Sequence, residues 1–330
     1  MTDLQNRIDL LHRLGQYMLS GKPEWAEAQA RALSANPWFT PGHIILSVEN
    51  IVNQYLQKEK LTAWVNKYKL PQNIKTVGIV MAGNIPLVGF HDFLCGFISG
   101  HRLKIKLSSK DDILLKHLAG KLIQWDVTLS DSIQFADMLK GCDAYIATGT
   151  GNTARYFEQY FGKYPHIIRK NRTSVALLDG TETDDELRSL ADDVFTYYGL
   201  GCRNVSQIYI PKEYDLEKLL EVFMSYEDLI QHHKYKNNYD YYLTLYLLNQ
   251  VPYLTNGSVL MVENEMPFSA VSVVHYCFYT GKEAAISLLK KSDHVQAIIG
   301  KGFTPFGTSQ QPALDDYADG VDAITFLCSL

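Results

Sequence analysis

Five cysteines, Cys95, Cys142, Cys202, Cys277 and Cys328, are the natural candidates for nucleophilic chemistry in this 330-residue sequence. Their number is odd and no CxxC pair occurs, which fits neither a disulfide framework nor a zinc site. Cys95, Cys277 and Cys328 sit in apolar or aromatic runs and read as core residues, and Cys142 lies at an expected helix end with no evident partner. Cys202 differs. It stands in Tyr198-Gly199-Leu200-Gly201-Cys202-Arg203-Asn204, where glycines let the backbone approach a ligand and Arg203 beside the sulfur favours the reactive thiolate. Taken alone, it is a small residue in a tight loop.

Three turns sit at the carboxyl ends of expected strands: Gly83-Asn84-Ile85-Pro86, Lys106-Leu107-Ser108-Ser109 and Thr148-Gly149-Thr150-Gly151. Ligands of open α/β sheets bind at such strand ends. The third turn is glycine-rich and opens a helix, so its backbone N–H groups can meet a phosphate. It is not GxGxxG, because Thr153 or Ala154 takes the third glycine's place, and no GKS or GKT follows to make a P-loop. Pattern alone leaves phosphate binding and an ordinary strand-to-helix turn equally open. His91, His166 and His275 have no partner at metal-ligand spacing, and His232 and His233 are adjacent, so all read as surface or packing residues and no metal is expected.

These turns need elements to hold them. Apolar residues at a helical period over residues 1–68, with Pro37 and Pro41 between blocks, predict a helical N-terminal region. From Thr76 the pattern alternates: strand 76–82, helix 87–100, strand 102–107, a helix through Trp125 capped by Ser109 or Asp111, a helix near 133–140, strand 144–147, and a helix toward Phe161. Strand 174–178, helix 184–197, strand 207–210, a long Tyr-rich helical stretch over 216–249, and strands 258–262 and 271–279 follow. The alternation predicts an α/β protein with a mostly parallel sheet and helices on both faces, and a domain boundary near 170–180.

Composition narrows the partners. With 46% apolar and 20% charged residues the chain is ordinary globular material. Its net charge of -5 supplies no basic field for nucleic acid, and its 21 tyrosines are not interleaved with Lys and Arg as a base-stacking surface requires. No charged leader with an apolar core opens the sequence, and no apolar run reaches the roughly 18–20 residues of a membrane helix; a cytoplasmic location is expected.

In order, the turns resemble the aldehyde dehydrogenase superfamily. Met81-Ala82-Gly83-Asn84-Ile85-Pro86-Leu87 is similar to its Pro-Trp-Asn-Phe-Pro turn, Lys106-Leu107-Ser108-Ser109 to its Lys-Pro-Ser-Glu turn, and Thr148-Gly149-Thr150-Gly151 to its Gly-Ser-Thr-Glu loop. Gly199-Leu200-Gly201-Cys202 falls where the nucleophilic cysteine belongs. Glu265-Met266-Pro267-Phe268 resembles the later Glu-Phe motif, and Pro305-Phe306-Gly307 the C-terminal one. Within the superfamily the likeness is to the acyl-CoA reductase (LuxC) family, carried by Leu107-Ser108-Ser109-Lys110-Asp111 and Asp316-Tyr317-Ala318-Asp319-Gly320-Val321-Asp322. One departure agrees with it: the superfamily's general-base glutamate would fall near Ile167, and no carboxylate occurs in Pro165–Lys170. An aldehyde oxidiser needs that base to activate water; a thioester reductase does not.

The resemblance implies an aldehyde dehydrogenase-like α/β fold, with a Rossmann-type cofactor domain over 1–173, helical at its start and completed by about 305–322. A catalytic domain over 174–304 and an oligomerisation strand at 323–330, pairing across a homo-oligomer, complete the expectation. It implies NAD(P)H-dependent reduction of an acyl-CoA, fatty acyl above all, to the aldehyde through an acyl-cysteine at Cys202, with Asn84 as oxyanion donor. Lys106 and Ser108 would hold the adenosine ribose or its 2'-phosphate, Thr148, Gly149 and Thr150 the pyrophosphate side, and Phe268 would pack near the nicotinamide. Lys106 suits NADPH as well as NADH, and NADPH is the expected cofactor, with NADH as the alternative. Acyl-activating or acyl-transferring enzymes are the expected protein partners. The family's glutamate aligns with either Glu265 or Met266. Acyl phosphate or acyl-carrier protein as donor, and a non-catalytic member that kept the fold, are the competing readings.

Overall fold

The computed structural model describes residues 3–149 and 151–330. Two compact units emerge, Met1–Asn171 with Gln311–Leu330, and Arg172–Gln310.

The first unit opens with four helices: α1 (Leu4–Met18), α2 (Pro23–Ala35), α3 (Pro41–Tyr55) and α4 (Lys58–Val65). Proline in the first turn of α2 and α3 costs no hydrogen bond there, and the Thr40 hydroxyl accepts from His43 N to cap α3. Alternating strands and helices follow: β1 (Thr76–Val80), α5 (Phe90–Ser99), β2 (Arg102–Lys106), α6 (Leu114–Trp125), β3 (Ile133–Phe135), β4 (Ala144–Thr148), α7 (Gly151–Phe161) and β5 (His166–Arg169). The five strands are parallel in the order β3-β2-β1-β4-β5, with Val77 opposite Leu103 on one side and Ala144 on the other. Val77, Ile79, Leu103, Ile105 and Ile146 are almost wholly buried, as a strand covered on both faces requires.

Three expectations change here, and one strand appears that the sequence pattern did not mark. Residues 133–135 form an edge strand rather than part of a helix, paired in parallel with β2 through Leu103 and Ile133. β5 carries no clear strand pattern in sequence and exists because β4 offers it an edge. Asp111 does not cap α6; its carboxylate accepts from Leu87 N. The expected strand at 323–330 is instead a helix, Ala323–Cys328, capped by Asp322 accepting from Thr325 N, with Ala323, Ile324 and Leu327 buried in the core of the first unit. An apolar run of this length suits a buried strand and a buried helix turn alike.

One buried ion pair ties β5 to α5. Arg169 Nη1 donates to Asp92 Oδ2 at 2.8 Å, both side chains being almost completely buried. The Asp92 charge holds the guanidinium pKa above its usual value against the opposing effect of burial. Removing one partner strands a charge in the core, so Asp92→Ala is expected to cost roughly 3–5 kcal/mol in denaturant unfolding, and the Asp92→Leu, Arg169→Met double variant markedly less. A loss below 1 kcal/mol for the single variant would contradict this.

The second unit holds β6 (Thr173–Leu177), α8 (Asp184–Phe195), β7 (Val205–Pro211), α9 (Leu216–Phe223), α10 (His233–Leu248), β8 (Leu254–Thr255), β9 (Leu260–Glu263), β10 (Val273–Tyr279), α11 (Lys282–Lys291) and β11 (Val295–Ile299). Its sheet runs β11-β6-β7-β10-β9-β8, parallel except for the β8–β9 pair. The single helical stretch expected over 216–249 is two α-helices separated by a 3₁₀ segment at Met224–Gln231, with the His232 ring capping α10 through Tyr235 N. A full capping box of Thr183 and Glu186 starts α8. Among the described residues no helix is long and apolar enough to cross a membrane.

Candidate active site

In the first unit, strand order reverses between β1 and β4, the place where open α/β sheets bind ligands. Residues at the carboxyl ends of β1, β2 and β4 therefore line one edge: Asn84 in the loop after β1, Lys106 and Ser108 at the end of β2, and Thr148 and Gly149 at the end of β4. Thr150 lies outside the described residues. Lys106 is exposed and forms no ion pair among the described residues.

The first two of these loops are interlocked. A Cβ on Gly83 would meet Ser108 Cβ at 2.7 Å and Asp111 N at 3.1 Å, so only glycine lets the Asn84 loop pass this close to the β2 loop. Leu87, three residues beyond Asn84, sits at φ 56, a left-handed conformation costly for a branched side chain. Its N–H donates to Asp111 Oδ2 at 2.7 Å, and Pro86 O accepts from Ser47 of α3 at 2.7 Å. Asn84 is half-buried on a loop held from both sides. At the end of β4, a Cβ on Gly149 would meet Phe157 of α7 at 2.8 Å, which draws the loop down onto its helix.

Asp111 is buried and its Oδ1 has no hydrogen-bond partner. Burial, only partly offset by the Leu87 N–H, pushes its pKa up to about 7. A carboxyl protonated on the orphan oxygen still accepts from Leu87 through the other. Because the folded-state pKa lies above the usual 3.8, the native state binds the extra proton. This contribution therefore favours folding at low pH and is lost as pH rises from about 4 through about 7. The stability advantage of wild type over Asp111→Asn should shrink across that window in chemical unfolding at several pH values; a pH-independent difference would contradict the assignment.

In the second unit Cys202 stands just before β7, at the amino end of a parallel strand rather than the carboxyl end. The chain reaches it through three consecutive left-handed residues, Tyr197 (φ 54), Tyr198 (φ 58) and Gly199 (φ 74). Such strain persists only where surroundings enforce it. Asn204 does so. Fully buried, it accepts from Gly201 N at 2.8 Å and donates to the α8-end carbonyls of Asp193 (3.0 Å), Val194 (3.3 Å) and Thr196 (2.8 Å). The Ser174 hydroxyl of β6 donates to Cys202 O at 3.3 Å. The result is a half-buried thiol on a loop clamped between α8, β6 and β7.

Burial pushes the other four thiols up: Cys95 far above its usual value, Cys277 to about 11, and Cys142 and Cys328 in the same direction. A raised thiol is a poor nucleophile. Replacing Asn204 by Asp keeps size and the Gly201 contact but turns an oxygen toward three carbonyl oxygens. With buried unsatisfied groups costing about 1–3 kcal/mol each, Asn204→Asp is expected to lower stability by roughly 3 kcal/mol and to alter the alkylation rate of Cys202. An unchanged midpoint and rate would remove Asn204 from this role.

Further sequence motifs gather on the second unit. Ser206, two residues past Asn204, donates to Pro267 O and pairs with Thr173 Oγ1 at 2.6 Å, which draws the Pro267-Phe268 segment toward the start of β6 and β7. The Phe268 ring meets His294 edge-on at 5.4 Å. Glu265 and Met266 are both exposed, and Met266 O pairs with the His275 ring. Asp193 at the end of α8 accepts from Gly307 N (2.7 Å) and Ser309 N (3.0 Å), which packs Pro305-Phe306-Gly307 onto α8. Asn204, Ser174, Ser206 and Asp193 were not expected from sequence; only the proximity of Asn204 to Cys202 could have flagged the first. Among the described residues no cluster of His, Cys, Asp and Glu is arranged to hold a metal.

Residues 49–226, more than half of the chain, match the model of the acyl-CoA reductase (LuxC) family. Solved structures of similar fold include aldehyde dehydrogenase 21 from Physcomitrella patens with the product succinate, at TM-score 0.68 and 13% identity over 91% of this chain and 74% of that one. Another is the Mycobacterium tuberculosis aldehyde dehydrogenase complexed with NAD+, at TM-score 0.67 and 13% identity over 90% and 73%. No curated protein sequence matches significantly. With the α/β fold of an aldehyde dehydrogenase and a matching region that runs from α3 through Cys202 to the end of α9, this chain belongs to the acyl-CoA reductase (LuxC) family, oxidoreductases of aldehyde chemistry.

Proposed function

We propose that the protein reduces an acyl-CoA, in particular a fatty acyl-CoA, to its aldehyde with NADPH or NADH through an acyl-cysteine at Cys202. The observation that carries this reading is the thiol itself. Cys202 is a half-buried thiol on a strained, clamped loop inside the family-matching region, while Cys95, Cys142 and Cys277 are buried.

In this reading the Cys202 thiolate attacks the thioester carbonyl. The new sulfur–carbon bond forms, the carbonyl electrons move to oxygen, and their return breaks the bond to CoA, which leaves as a thiolate and takes a proton from solvent. Asn84 and the Cys202 N–H are assigned to the oxyanion; one such donor typically accounts for about 100- to 1000-fold in rate. The nicotinamide supplies a hydride when bound. The aldehyde leaves as the Cys202 sulfur–carbon bond breaks and the thiolate re-forms.

Several residues fit a dinucleotide. Lys106 and Ser108 are assigned to the adenosine ribose or its 2'-phosphate, Thr148, Gly149 and Thr150 to the pyrophosphate side, and Phe268 to the nicotinamide. Lys106, exposed at the carboxyl end of β2 and in no ion pair among the described residues, supports this, as does the glycine-only approach of the Gly83 and Ser108 loops. The fold is shared with a dehydrogenase solved with NAD+, which supports a nicotinamide cofactor. The missing carboxylate across Pro165–Lys170 favours exchange of CoA over attack by water.

The test offers acyl-CoA, acyl phosphate and acyl-carrier protein to purified protein with NADPH or NADH and follows absorbance at the reduced nicotinamide band. Oxidation with acyl-CoA, aldehyde as product, and loss of turnover in Cys202→Ala are expected. No oxidation with any CoA thioester, or undiminished turnover in Cys202→Ala, would sink the proposal.

A further inference from the structure

At the opposite edge of the first unit's sheet, by the amino ends of β2 and β3, lies a cavity of about 190 Å3 whose lining includes Arg7, Gly100, His101, Arg102, Asp131 and Ser132. Arg7 projects into this cavity from the first turns of α1. The residue is 8% exposed and its Nε is buried without a hydrogen-bond partner. No ion pair to it forms among the described residues; Asp3 acts on it only at longer range, and burial lowers its pKa. Few arrangements are as costly as a buried cation with no counter-charge.

The surroundings hold that guanidinium in place without neutralising it. Gly100 ends α5 at φ 82, and a Cβ there would lie 1.8 Å from Arg7 Nη1, so the glycine makes room for the guanidinium. The α5 carbonyl end contributes only partial negative charge. His101 adds no charge of its own: Nδ1 accepts from Lys75 N at 3.1 Å, which leaves Nε2 to donate to Leu327 O at 2.9 Å, and burial lowers its pKa. The lining also includes exposed Arg102 and Asp131, one charge of each sign.

We propose that this cavity is a binding site for a tetrahedral oxyanion, inorganic phosphate or the phosphate group of a small ester, with the Arg7 guanidinium as its principal ligand and Arg102 at its mouth. A planar fork of N–H donors matches such an ion. The site lies at the amino ends of strands, away from the carboxyl edge assigned to the cofactor, and does not depend on the proposed reaction. An ion bound there would join α1, the end of α5 and the β2–β3 edge, and so stabilise the helical cap of the first unit.

The experiment measures thermal unfolding at constant ionic strength with saturating NADPH present, so that phosphate at any cofactor subsite is already displaced. Inorganic phosphate and glycerol phosphate are titrated in separate arms against chloride. A saturable rise in Tm of roughly 3 °C is expected with phosphate, and its loss in Arg7→Met with retained far-UV circular dichroism. A matching rise with glycerol phosphate assigns the site to phosphate esters as well; a rise with phosphate alone assigns it to the free ion. No rise in wild type, or an equal rise in a folded Arg7→Met, overturns the proposal. Should Arg7→Met not fold, wild-type crystals soaked in tungstate decide it: heavy-atom density within hydrogen-bond distance of Arg7 supports the site, and a cavity without it removes the site.

Discussion

A parallel sheet cannot be built from hairpins, and the placement of the first unit's loops follows from that constraint. Each strand must be followed by a crossover that returns the chain to the starting edge, so the carboxyl ends of β1, β2 and β4 line up although Asn84, Lys106 and Thr148 are far apart in sequence. The reversal of strand order between β1 and β4 sends the crossovers to opposite faces of the sheet. Placement of these residues is a consequence of strand pairing.

Pairing brings the loops to one edge, and buried polar contacts then fix their shape. Asp111 joins the β1 and β2 loops by accepting from Leu87 N, and Gly83 permits their contact. Around Cys202 the same logic is stronger: one buried asparagine satisfies three carbonyls at the end of α8 and holds a loop entered through three left-handed residues. Strain of this kind is tolerable because Asn204, Ser174 and the core beneath α8 over-determine the conformation. The cysteine is consequently presented at the amino end of β7, the opposite end from the one at which open sheets bind ligands.

Buried charge is handled in two ways within the first unit. Arg169 is neutralised by Asp92, whereas no ion pair forms to Arg7 among the described residues and its Nε has no hydrogen-bond partner. The contrast makes Arg7 informative: the protein has the means to pair a buried arginine and does so where the role is structural.

Local chemistry made much of the fold legible from sequence. The helical period of residues 1–68, the β-branched run at 76–80, the glycine turns and the order of the motifs all report interactions between near neighbours or a ladder's two-residue period. Cys202, directly after the Gly199-Leu200-Gly201 turn, was visible for the same reason. Tertiary structure decided what depends on partners distant in the chain. β3 and β5 are strands because an edge was available, 323–328 is a helix because a buried apolar run takes the conformation its neighbours can pack, and Asp111 reaches across to Leu87 in place of capping α6. The Asn204 clamp, the Ser206–Pro267 link and the isolation of Arg7 were likewise beyond the sequence, since burial and hydrogen-bond satisfaction are properties of assembled elements.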